Sequence, residues 1–99
     1  MIDYNELMHP VRNGKVCVYL DELESAAASA AAGKNCLETE LCSKYIEKAL
    51  FNYSYTISGQ RSGRIYMVPA EARKLCKECC EYALSLSENI CERKAPANG

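Results

Sequence analysis

The spacing of apolar positions changes along the chain. From Tyr53 to Ser58 it is strictly alternating, with Tyr53, Tyr55 and Ile57 on one side and Ser54, Thr56 and Ser58 on the other. That two-residue period predicts a half-buried strand. Arg64 to Val68 is a second short apolar run, and Gly59-Gln60-Arg61-Ser62-Gly63 between them suits a five-residue hairpin loop. With Ser58 opposite Arg64, Ile57 faces Ile65 and Tyr55 faces Met67, whereas a slip of one residue would put Tyr66 and Val68 there instead. A further strand is expected in the continuous apolar run from Lys15 to Leu20, behind the Asn13-Gly14 turn signal.

The remaining segments read as helix. The first residues suit a short helical turn ended by His9-Pro10. Asp21 with Glu24 suggests a capping box for an alanine-rich helix to Ala32, closed by Gly33. Asn35 with Glu38 suggests the cap of a helix over 36–50. Its Leu37, Leu41, Cys42, Tyr45, Ile46, Ala49 and Leu50 gather on one side, with Thr39, Glu40, Ser43, Lys44, Glu47 and Lys48 on the other. Pro69 suits the first position of a long helix reaching about Arg93. There Ala72, Cys76, Cys79, Ala83, Leu86 and Ile90 follow 4-3-4-3-4 spacing, which fits a core or a two-helix dimer contact. Cys80, Leu84 and Cys91 form a flanking strip that points to a partner. A homodimer or partner contact is therefore expected at Cys80, Leu84, Leu86, Ile90 and Cys91.

Composition narrows the function classes. Ninety-nine residues fit one domain, expected over 1–94 with a disordered tail at 95–99. Twelve basic and thirteen acidic residues leave a net charge of −1, which argues against diffuse nucleic-acid binding and requires any such binding to use a local basic patch. Neither a basic start followed by an apolar run nor a membrane-length apolar stretch is present, so a cytoplasmic location is expected. Seven cysteines, an odd number, read as reduced thiols acting as small hydrophobes. Cys76-x-x-Cys79 has the spacing of a zinc pair, but it lies within a helix rather than on a turn, so no cofactor is expected. Cys80 and Cys91 are about 16 Å apart along one helix, too far to bridge except across a dimer. His9 has no orienting partner in the sequence, the paired acids are explained by capping, and no phosphate loop follows the glycines. An enzyme is not expected.

The order of elements is helix, strand, helix, the short turn Gly33-Lys34-Asn35, helix, two-stranded ribbon, long helix. It resembles the winged helix-turn-helix domains of bacterial regulators. "SGRIYMVPAEARKL" is similar to the end of their wing running into a dimerisation helix. "GKVCVYLDEL" resembles the strand-and-helix start of small arsenic-responsive repressors. The likeness covers roughly residues 15 to 75. It implies an α+β, mainly helical winged-helix-like domain with a β-hairpin and a long C-terminal helix. It also implies a non-enzymatic transcriptional regulator reading double-stranded DNA through Thr39, Ser43, Lys44 and Lys48, with Gln60, Arg61 and Arg64 in the wing. One departure is electrostatic: Glu38 and Glu40 sit at the start of the reading helix, where carboxylates oppose a polyanion. The alternative expectation is a protein-binding module or inhibitor acting through the hairpin and C-terminal helix, without nucleic acid.

Overall fold

A computed structural model describes residues 3–59 and 63–94, the side chains from 91 onward excepted. The order is α1 (Tyr4–Leu7), β1 (His9–Pro10), β2 (Val16–Tyr19), α2 (Leu20–Asn35), α3 (Thr39–Ser58), β3 (Arg64–Met67) and α4 (Pro69–Lys94). This is an α+β architecture: α2, α3 and the long C-terminal α4 pack on one another and against one face of a small antiparallel sheet.

Asn13 and Gly14 both adopt left-handed backbone angles (φ 64° and 70°), conformations that asparagine and glycine tolerate best, and they turn β1 into β2. β2 is the central strand, flanked by β1 and β3. Val16 pairs with Met67 and Val18 with Ile65, and that face enters the core. His9, Cys17, Tyr66, Tyr19 and Arg64 alternate onto the other face.

The alanines of α2 serve packing. Ala27, Ala28, Ala31 and Ala32 are buried, and their small side chains admit Cys42, Ile46 and Leu50 from α3 and Ala72, Leu75, Cys76, Cys79 and Ala83 from α4. The 72–83 part of the apolar seam is thus intramolecular core, with Leu86 and Ile90 partly buried against it.

Several boundaries differ from the sequence reading. Tyr53–Ser58 continues α3 instead of forming a strand, so no 53–68 hairpin exists, and β3 pairs with β2. The alternating hydroxyls that suggested a strand bond back to helix carbonyls: Thr56 Oγ1 to Asn52 O at 2.8 Å and Ser54 Oγ to Phe51 O at 3.2 Å. Tyr53 stacks on Tyr82 of α4, centroids 4.0 Å apart and rings within 6° of parallel, which fixes the last turns of α3 against α4. Gly59, at φ 69°, ends the helix by returning its N–H to Tyr55 O.

Gly33 and Asn35 lie inside α2, and the connection to α3 is Cys36-Leu37-Glu38. The N-cap of α3 is Glu38 rather than Asn35, whose side-chain amide donates to Ser87 Oγ at 2.6 Å, tying α2 to α4. α2 begins directly from β2, with Leu20 N–H donating to Gly63 O at 2.8 Å. Asp21 and Glu24 therefore form no capping box.

Candidate interaction surface on the third helix

α3 divides the apolar residues that one amphipathic face was expected to gather. Cys42, Ile46 and Leu50 are buried, while Leu41 (58% exposed), Tyr45 (52%) and Phe51 (54%) face outward, and Leu37, in the preceding connection, is fully exposed. At 100° per residue Leu41 and Tyr45 stand one above the other on a single outer edge. Phe51, farther along α3 and turned toward Asp21 and Glu24 of α2, rests against Tyr55, ring centroids 5.0 Å apart. Scattered exposed apolar residues are ordinary on a protein surface, whereas contiguous exposed apolar patches are the kind found at interaction sites.

Beside this edge the α2–α3 boundary holds a buried carboxyl. Glu24 is 4% exposed and Ser54 fully buried, and the Ser54 hydroxyl donates to Glu24 Oε2. Burial pushes the Glu24 carboxyl above its ordinary pKa, the Ser54 hydrogen bond pulls it back, and the charges of Asp21 and Glu47 add to the rise. Two adjoining concavities meet at Asp21, Glu24 and Phe51. One, about 420 Å³, adds Lys44, Glu47 and Lys48. The other, about 380 Å³, adds Tyr19, Tyr55 and Arg64 among its walls. The Arg64 guanidinium lies 5.6 Å from the Tyr19 ring centroid, a cation–π distance.

Of the residues assigned to DNA reading, Lys44, Lys48 and Arg64 come together around these concavities. Thr39 is exposed at the first turn of α3, and Ser43 is half-buried with its hydroxyl 3.5 Å from that of Ser29. Gln60 and Arg61 lie outside the described residues. The three cations share their walls with the carboxylates of Asp21 and Glu47 and with Glu24, whose burial favours the neutral acid, so acidic and basic groups are interleaved there. Of the expected partner contacts, Cys80, Leu84, Leu86 and Ile90 are half-buried against the core, and the Cys91 side chain lies outside the described set.

Sequence reasoning missed Glu24 as a buried group. Its signal was present: Leu20, Leu23, Glu24, Ala27, Ala28 and Ala31 form one helical face, and Glu24 is its single charge. It also missed Phe51 as a surface residue, because the expected strand interrupted α3.

Cys76, Cys79 and Cys80 of α4 lie in surroundings that disfavour the thiolate. Burial pushes Cys76 up to about 11 and Cys79 up to about 12, and the neighbouring thiols add to both. Among the described residues no group of three or more His, Cys, Asp or Glu side chains converges to hold a metal ion. His9 Nε2 and Glu22 Oε1 form an ion-pair contact at 2.8 Å, both side chains well exposed. Among the described residues no helix is long and apolar enough to cross a membrane.

Comparison with protein-family models, curated proteins and solved structures gave no match. The functional reading therefore rests on the geometry of the chain itself.

Proposed function

We propose that the chain is a protein-binding module with no chemistry of its own, and that it docks its partner on the outer edge of α3. The observation that carries this reading is the pair Leu41 and Tyr45, one turn apart and exposed although the same helix has a complete buried face of its own, with Leu37 exposed just before it. Tyrosine is a common anchor of protein interfaces, and Tyr45 stands exposed on this edge. The flanking Lys44 and Lys48 give the surface a charged rim of the kind that fixes partner choice.

DNA reading has weaker support. The wing hairpin it required is replaced by the end of α3, and its described cations Lys44, Lys48 and Arg64 share their concavities with the carboxylates of Asp21 and Glu47. The two readings separate in one experiment. Affinity capture from the source cells with the native chain and with a Leu41→Ser/Tyr45→Ser variant should show a bound protein retained by the first and lost by the second. Lys44→Ala/Lys48→Ala should leave that protein bound with no more than about tenfold loss. Binding of a random DNA duplex at low salt that weakens in the lysine variant, with no protein lost in the serine variant, would reverse the choice.

A further inference from the structure

On the side of the molecule away from the α3 edge, α1, α2 and α4 enclose a groove of about 550 Å³. Its walls are Ala27, Ala30 and Ala31 of α2, Cys80 and Leu84 of α4, and Tyr4, which α1 holds over one end. Alanine side chains stop at Cβ, so the flank of α2 beside its buried face leaves a trough along α4 that no longer side chain fills. Asn35 of α2 bonds Ser87 of α4, and nearer the start of α2 Glu24 meets Ser54 of α3, whose neighbour Tyr53 stacks on Tyr82 of α4, so the two helices run in the same direction. Tyr4, Cys80 and Ala27 therefore lie toward one end, and Leu84, Ala31 and Lys34 toward the other.

The polar groups of this groove are few and placed apart. At one end the Tyr4 hydroxyl and the Cys80 thiol lie within hydrogen-bonding reach of each other, and burial raises the pKa of each, so neither presents a charge. At the other end stands Lys34, the one lysine, arginine or carboxylate among the described lining residues, exposed and with no carboxylate of the described residues within ion-pair distance. The volume falls within the range of small-molecule sites. From Ala27 to Lys34 the helix rises about 10 Å, the length of a straight alkyl chain of roughly eight carbons.

We propose that this groove binds a single-chain amphiphilic carboxylate, its alkyl chain along Ala27, Ala30 and Ala31 beneath Tyr4 and its carboxylate on Lys34. Chain length is selected by the distance between Tyr4 and Lys34, and head-group charge by the lone ammonium. The inference is independent of the α3 docking surface.

The test is calorimetric titration of the full chain with straight-chain carboxylates of increasing length, with decylamine and decanol as matched controls. Affinity should tighten about fourfold per added methylene and level off near decanoate, where the groove is filled. Decanoate should bind at least about tenfold tighter than decylamine. Lys34→Gln should weaken decanoate by about tenfold and leave decanol unchanged, because only the charge is removed. Ala30 is exposed, so Ala30→Leu should fill the trough and abolish binding while the thermal melt stays in place. The proposal is overturned if decanoate shows no saturable binding below about 1 mM, a weak-ligand threshold, or if Ala30→Leu binds as well as the native chain. It is also overturned if sedimentation shows a dimer that Ala30→Leu dissociates, since a second copy would then occupy the groove.

Discussion

Glu24 is the residue on which the physical chemistry of the α2–α3 boundary turns. A carboxyl buried with one hydroxyl donor and two nearby acids is held toward its protonated form. Its folded pKa lies above the unfolded value, so its stabilising contribution is fully present below the unfolded value. That contribution is lost as pH rises through the folded value. Chemical denaturation across pH 4 to 8 should show the native chain losing stability along this range. Glu24→Gln, which keeps an acceptor for Ser54 and never ionises, should lack that part of the decline; parallel profiles would remove Glu24 from the account. Ser54→Ala should cost about 1–3 kcal/mol, because it leaves the buried carboxyl without its donor. At the same scale, Cys76 and Cys79 stay protonated at neutral pH. A thiol reagent at pH 8 should reach these two only as fast as the protein unfolds, and rapid labelling of both in the native state would contradict their placement in the core.

Among the elements, α3 carries most of the new information. Its burial pattern was legible in sequence only in part: Cys42, Ile46 and Leu50 point inward as the periodicity requires, but Leu41 and Tyr45, expected on the same side, face outward. The strand β2, the Asn13-Gly14 turn and α4 starting at Pro69 were legible for equally local reasons, since turn chemistry and proline act within a few residues. Tyr53–Ser58 was not, because a two-residue alternation of tyrosines and hydroxyls fits a strand on its own. Only Tyr82 and Glu24, far away in sequence, give Tyr53 and Ser54 the partners that keep this stretch helical. The exposed row at 37, 41 and 45 was hidden similarly, since the apolar positions of α3 outnumber those its neighbours can cover. Gly59→Ala offers a test of the corrected boundary. The left-handed angle at which α3 ends should make the substitution cost about 1 kcal/mol, measured by denaturant midpoint. A neutral effect would argue for the hairpin geometry instead.

For the whole molecule, the core and the proposed docking edge are separable. Leu41 and Tyr45 contribute exposed area, so replacing both by serine should shift stability by no more than about 0.5 kcal/mol, while Leu50→Ala should cost about 2–5 kcal/mol. That separation makes binding measurable without unfolding the chain. The most direct test places a photo-crosslinking amino acid at position 41 or 45 of the full chain in its source cells, with exposed position 73 on α4 as the control. The docking account predicts one and the same protein adduct from 41 and 45 and none from 73. No adduct from either α3 position, or an equal one from position 73, would contradict it.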